Sequence, residues 1–241
     1  MRFMFVNVQS VTNKIGILDD LFRHYGVNVA CLSETWLRRS DAESLIIGDM
    51  LVASHFSRSV NTHGGSLILL RPNTNYTIVN EINNCSVEMH CEFAATFLRD
   101  MKLILISVYR PPSGNFYVFL DKIELALNFV DVRSIRVIIG GDFNIHFGTS
   151  DVKVKLLRDL MNSFNLTDYV FFHTRGNRTL DNVFANFHIP GVEHVEPVAD
   201  HASIVIRFEC LLSKPLKLKR IIRPITDRGK FILYSSLSTY A

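Results

Sequence analysis

The feature that most constrains this chain is a succession of short apolar runs, each long enough for one strand. RFMFVNV (2–8), VNVACLS (27–33), SLILL (66–70), KLILISVY (102–109) and RVIIGGD (136–142) hold few polar residues before their last positions. A strand with one wet face alternates apolar and polar residues, whereas a continuous apolar run bounded by turn residues fits a strand buried on both faces. MLVASHF (50–56), YTIV (76–79), CEFAATFL (91–98), LDNVFAN (180–186) and ASIVIRF (202–208) extend the set. Between them, residues 14–25 place Ile17, Leu18, Leu21, Phe22 and Tyr25 at helical spacing. Residues 116–130 turn Phe119, Leu120, Ile123, Leu127 and Val130 inward, and 152–164 reads as a third helix. Doubly buried strands interspersed with amphipathic helices predict an α/β fold, a two-sheet sandwich flanked by helices.

A chain of 241 residues, 48% hydrophobic and 20% charged, can bury a sizeable core without covalent staples. No structural disulfide is therefore expected. Cys31, Cys85, Cys91 and Cys210 form no CxxC pair, which argues against a zinc site. No apolar run approaches the length of a membrane span, and MRFMFVNVQS lacks the long apolar stretch of a signal peptide. These features point to a soluble intracellular protein, nuclear or cytoplasmic. The net charge of +3 is uneven: residues 210–241 hold seven lysines and arginines against one acid, Asp227, leaving 19 bases and 22 acids in residues 1–209. The regular pattern stops near Phe208, so 1–209 is expected to be one domain and 210–241 a basic linker or tail. Such a tail can bind phosphate backbone or serve only as a solvated connection.

Polar residues gather at the ends of the apolar runs: Asn7, Glu34, Tyr109, Asp142, Asn144, Asp181, Asp200 and His201. Strand ends in a sandwich share rims, where loops build sites on a rigid scaffold. Glu34, directly after VACLS, is either a ligand for a hard cation such as Mg²⁺ or a surface carboxylate capping the next segment. Asp142 and Asn144 lie on one side of an extended segment, an acceptor beside an amide, suited to a water and a phosphate oxygen. Gly140 and Gly141 before them allow close approach. His201 can stabilise a phosphorane or protonate a leaving group if a carboxylate orients it, and Asp181 is the candidate partner. Tyr109 either reaches a phosphate or packs on Pro111 and Pro112. Asn7 either supports Glu34 or a metal-bound water, or is a turn asparagine.

In order along the chain stand NVQS (7–10), SETWL (33–37), HGGSLILL (63–70), VYRPP (108–112), GGDFN (140–144), HTRGNRTLDNVFAN (173–186) and ADH (199–201). Over roughly residues 2–208 this series resembles the endonuclease domain of non-LTR (LINE-type, jockey-like) retrotransposons. These belong to the endonuclease/exonuclease/phosphatase superfamily with apurinic endonucleases, DNase I and inositol polyphosphate phosphatases. The resemblance implies a DNase I-like fold and a Mg²⁺-dependent nuclease in which Mn²⁺ can substitute. It implies that Asn7 and Glu34 form the metal pair with Asp200, and that Tyr109 contacts phosphate. Asp142 would align or deprotonate water, Asn144 would bind phosphate, and Asp181 would stand behind the Asp200–His201 pair. Arg110 and Arg175 are expected on the substrate. Ala199 stands where the family usually has serine, and Leu180-Asp181-Asn182 where it usually has Ile-Asp-His.

The implied reaction nicks DNA to a 3′-hydroxyl and a 5′-phosphate, by a protein expected to act as a monomer. In the family a reverse transcriptase follows. No YxDD motif is present, and LDDL (18–21) falls in an expected helix, so the chain reads as a fragment or degenerate copy of a retroelement polyprotein. Two other readings fit the same fold: a phosphatase, and a remnant that folds without cutting.

Overall fold

The computed structural model describes residues 1–207; the expectations for 210–241 lie outside the described residues. The first part of the chain runs β1 (Arg2–Asn7), α1 (Ile15–His24), β2 (Val29–Ser33), α2 (Arg39–Ser44), β3 (Ile46–Ile47), β4 (Met50–Phe56) and β5 (Ser66–Leu70). It continues through β6 (Tyr76–Ile78), α3 (Asn80–Asn83), β7 (Glu92–Leu98), β8 (Leu103–Tyr109), α4 (Phe116–Asn128) and β9 (Arg136–Asp142). It closes with α5 (Val152–Ser163), β10 (Thr167–Asp168), β11 (Asp181–Ala185), β12 (Gly191–Val195) and β13 (Ser203–Arg207). One sheet has the order β12-β13-β1-β2-β5-β4-β3 and the other β10-β11-β9-β8-β7-β6. The expected two-sheet α/β sandwich is the observed architecture.

The period of two along each strand sorts side chains between layers. From β1, Phe3 and Phe5 enter the space between the sheets with Val29, Cys31, Ile68, Leu105, Ile138, Val183 and Ile204. Met4 and Val6, the residues between, face outward to meet Leu18 and Phe22 of α1. The outer face of the second sheet packs on Phe119, Ile123 and Leu127 of α4 and on Leu157 and Met161 of α5. Helices α4 and α5 begin on side-chain caps: Asn115 accepts from the N–H groups of Tyr117 and Val118, and Asp151 from that of Lys153. The first helix departs from its expected apolar face at Ile17, which is 56% exposed. Cys31, Cys85 and Cys91 are free and buried. No helix among the described residues is long and apolar enough to cross a membrane.

Register determines where the site can form. Asn7 lies beside Ser33 in the parallel β1–β2 pair, and Ser33 opposite Ser66 in β2–β5. In the second sheet Glu92 lies opposite Tyr109, Tyr109 beside Asp142, and Asp142 opposite Asp181. The ends of β1, β2, β8 and β9 and the starts of β5, β7, β11 and β13 therefore share one rim.

Candidate active site

An amide bridges the two sheets at this rim. Asn7 Nδ2 donates to Glu34 Oε1 at 2.8 Å and, across the sandwich, to Asp142 Oδ2 at 2.9 Å. Asn144 closes the other side of the carboxylate: its Nδ2 donates to Asp142 Oδ2 at 3.0 Å and its backbone N–H to Oδ1 at 2.9 Å. The glycines before Asp142 have local reasons. Gly141 has φ +142°, and a Cβ there would collide with the Val108 carbonyl; a Cβ on Gly140 would meet the Phe5 ring at 2.7 Å. The close approach that the sequence suggested is thus made by β8 and β1.

Left-handed backbone gathers in the loops of the same rim. Gln9 (φ 39°), Ser10 (φ 79°), Glu34 (φ 54°), Trp36 (φ 56°) and Asn144 (φ 48°) adopt a conformation that costs a side-chain-bearing residue of order 1 kcal/mol or more. Such conformations persist where surrounding contacts over-determine them, as the bonds to Glu34 and Asn144 do.

Beyond Asp142 the chain supplies a buried carboxylate–imidazole pair. Asp181 Oδ2 and His201 Nδ1 are 2.7 Å apart. Thr174 fixes the start of β11 by accepting from Leu180 N–H at 2.9 Å and Asp181 N–H at 3.1 Å through Oγ1. His201 Nε2 is buried with no hydrogen-bond partner. Burial works against the imidazolium, but Asp181, then Asp142 and Asp200, outweigh it and raise His201 to about 9. Asp142 is pushed well above the ordinary carboxyl range, by burial first and then by Asp181, with Glu34 adding to it. Burial, reinforced by Glu34 and Asp142, likewise raises the Tyr109 phenol.

Asp200 is held by two other side chains. Arg175 Nη2 pairs with it at 2.5 Å, and Gln9 Nε2 donates to its other oxygen. His201 Nε2 lies 3.8 Å from Asp200, too far for a hydrogen bond. Arg175 is exposed on the turn that Arg175 and Arg178 close. Arg110, expected on the substrate, is only 4% exposed: its guanidinium donates to the carbonyls of Gly114, Phe143 and Asn144 and lies against the Phe116 and Phe119 rings. It braces the loop after β8. Asn182, in the position where the resembling family has histidine, accepts from Val170 N–H and Val183 N–H. The sequence reading passed over Gln9 and Thr174, although both sit inside or beside the quoted motifs.

The donor set suits a divalent cation. Asp142, Asp181 and His201 bring potential ligand atoms within 4.8 Å of one another, with Glu34 one amide away; His201 as an imidazolium has no lone pair to give, which leaves the carboxylates as the donors. Three carboxylates with one imidazolium among them leave negative charge that an ion bound by oxygen would balance. It adjoins the expected set of Asn7, Glu34 and Asp200: Asn7 bonds both Glu34 and Asp142, and Asp200 lies 3.8 Å from His201 Nε2.

A family model for the Endonuclease/Exonuclease/phosphatase family matches residues 4–201, the span from β1 to His201. The chain belongs to this family. No curated protein sequence matches it. Among solved structures it is similar to the endonuclease domain of TRAS1, a telomere-specific non-LTR retrotransposon. That match has 15% identity, 86% of this chain, 98% of that one, and a TM-score of 0.68. An AP endonuclease from Leishmania major matches at 14% identity over 85% of this chain and 86% of that one, TM-score 0.66. A mannosyl-6-phosphatase from Bacteroides thetaiotaomicron matches at 11% over 86% and 98%, TM-score 0.62. At these identities the likeness is one of fold, and the family's members include nucleases and phosphatases alike.

Proposed function

We propose that this chain is a Mg²⁺-dependent DNA endonuclease of the non-LTR retrotransposon type, cutting a phosphodiester to a 3′-hydroxyl and a 5′-phosphate. The observation that carries the reading is His201. Its Nδ1 is tied to Asp181, the surrounding carboxylates favour its charged form over the opposing effect of burial, and its Nε2 is buried without a partner. An oriented imidazolium donates to charge developing on a phosphate oxygen. Asp142, a carboxylate made more basic by burial, takes the proton of water as the water oxygen forms the new P–O bond. The P–O3′ bond breaks, and the departing oxygen takes a proton from solvent to become a hydroxyl. Asn144 and Tyr109 orient phosphate oxygens, and Arg175 is the exposed guanidinium for a neighbouring phosphate. Glu34 and Asn7 would hold the metal, with Asp200 the further carboxylate on the rim. The ion, when bound, supplies Lewis-acid stabilisation of the phosphate and the departing oxygen. The motif series SETWL, VYRPP and GGDFN favours DNA over a phosphomonoester.

Supercoiled plasmid incubated with Mg²⁺ should be converted to nicked circles whose ends a polymerase can extend; EDTA should stop the conversion. Release of inorganic phosphate from monoesters without nicking would favour the phosphatase reading, and neither activity would favour a remnant. Glu34→Gln should lower nicking at limiting Mg²⁺ by about tenfold or more, because one anionic ligand is lost from a hard-cation site. It should keep the parental melting temperature in EDTA. A Glu34→Gln chain as fast as its parent at limiting Mg²⁺ would remove Glu34 from the metal site.

A further inference from the structure

A second buried ion pair lies on the opposite side of Tyr109 from Asp142. Arg58, in the loop between β4 and β5, donates from Nε to Glu92 Oε1 at 2.6 Å, with side chains 2% and 0% exposed. Glu92 Oε2 accepts the Gly65 N–H at 2.6 Å, and Oε1 also takes the Met89 N–H at 3.4 Å. The HGG stretch is built around this pair. A Cβ on Gly64 would collide with the Arg58 guanidinium, and one on Gly65 would lie 2.5 Å from Thr35 Oγ1.

The pair touches two parts of the site. Through the glycines it reaches the Glu34 loop: Trp36 N–H donates to the Gly64 carbonyl at 2.8 Å, and the Trp36 ring meets the His63 ring at 4.5 Å, tilted by 47°. Through β7 it reaches Tyr109, the cross-strand partner of Glu92, and the Arg58 guanidinium carbon lies 5.9 Å from the centre of the Tyr109 ring. Stability alone is a poor reason for such a pair. Burying two charges costs several kcal/mol per ion after relaxation, and apolar residues of similar volume are often as stable or more so. Arg58 Nη2, buried without a partner, adds to that cost. A catalytic rim, by contrast, requires side chains held to within about 0.5 Å.

We propose that Arg58 and Glu92 are a positioning pair that fixes the Tyr109 ring and the Glu34 loop relative to the scissile phosphate, without touching substrate. The proposal rests on the roles given above to Tyr109 and Glu34. Its test replaces the charges and keeps the volume, in Arg58→Met with Glu92→Leu, and adds Arg58→Lys, which keeps the charge but loses the planar fork. Three readings are taken: thermal unfolding, kcat and KM for plasmid nicking, and the ¹⁹F resonance of 3-fluorotyrosine placed at position 109. The double variant should unfold as cooperatively as the parent and keep its KM, while kcat falls about 10- to 100-fold, the scale of a misplaced reacting group. Its ¹⁹F line should shift and broaden, and Arg58→Lys should move both quantities in the same direction. In a Tyr109→Phe background the charge replacement should cost less than in the parent, since the two changes act on one group. A folded double variant with parental kcat, or a ¹⁹F line identical to the parent's, would overturn the pair's positioning role. If the double variant does not fold, the same readings on Arg58→Lys decide. If the parent itself nicks no DNA, the proposed activity falls, and the ¹⁹F comparison still decides whether the pair places Tyr109.

Discussion

Two buried acid–base pairs flank the strand ends that carry Tyr109 and Asp142, and they differ in the one property that matters for chemistry. Asp181–His201 and Arg58–Glu92 have nearly equal separations, 2.7 and 2.6 Å, and all four side chains are at most 5% exposed. An imidazole can give up its proton near neutral pH, and a guanidinium cannot. Each pair keeps one buried nitrogen without a partner, His201 Nε2 and Arg58 Nη2, but only the imidazole can exchange its proton there, while both Glu92 oxygens are spent on Arg58 and the rim's own loops. The same buried arrangement thus yields a proton-bearing group on one side and a static brace on the other. Being buried and charged does not by itself mark a catalytic group; an unspent atom on a group that can exchange its proton does.

The widest predicted gap between the pairs is in rate. His201→Ala should lower Mg²⁺-dependent nicking by about 10²- to 10⁴-fold, the usual range for losing a positioned acid or base. Asp142→Asn should fall in the same range, and the double variant should lose far less than the product, because both act in one transition state. The braced side should lose no more than the 10- to 100-fold already given. A His201→Ala protein that nicks as fast as its parent would erase the contrast.

The two sides were also unequally legible in the sequence. The doubly buried strands were visible as apolar runs, and the observed strands follow them to within a residue or two. The edge strand β12 and the two-residue strands β3 and β10 were missed, because GVEHV is half exposed and the others are too short to show a period. Asn7, Glu34, Asp142, Asn144, Asp181 and His201 were legible as candidates because each lies at or beside the end of an apolar run, and the register brings such ends to one rim. Arg58 and Glu92 carry no such signal. One sits in a polar loop, the other opens an apolar run without a motif, and the pairing spans 34 residues. Arg110 shows the opposite case. VYRPP places an arginine beside the site, but three carbonyls that only the fold brings together draw it inward.

Stability should separate the pairs next. Glu92→Ala leaves a guanidinium buried without its carboxylate and should cost about 3–5 kcal/mol, the usual penalty for stripping one partner from a buried pair. Asp181→Ala leaves an imidazole that can respond by losing its proton, so the penalty shrinks to that of an unmet hydrogen bond, about 1–3 kcal/mol. Urea unfolding of both variants in EDTA near pH 8 measures the difference. Equal losses would mean that His201 stays charged without Asp181, and that the contrast between imidazole and guanidinium is not expressed in this fold.

The smallest predicted effect is the pH dependence, and its sign follows from His201. The group is raised from an ordinary 6.5 to about 9, mainly by its bond to Asp181 and the charges of Asp181, Asp142 and Asp200 overcoming burial. A group raised on folding binds its proton more tightly in the native state. Its contribution is therefore complete below pH 6.5 and disappears as pH climbs through about 9. The shift corresponds to roughly 3 kcal/mol as a ceiling, shared with the neighbouring carboxylates. Unfolding of the parent and of His201→Gln in EDTA should thus differ most near pH 6 and converge towards about pH 9.5. Glu92→Gln provides the contrast, since a guanidinium keeps its charge throughout this range. Its stability deficit relative to the parent should stay level where that of His201→Gln declines. If the two deficits run parallel from pH 6 to 9.5, then His201 does not hold its proton in the folded protein, and the imidazolium role proposed for it fails with that result.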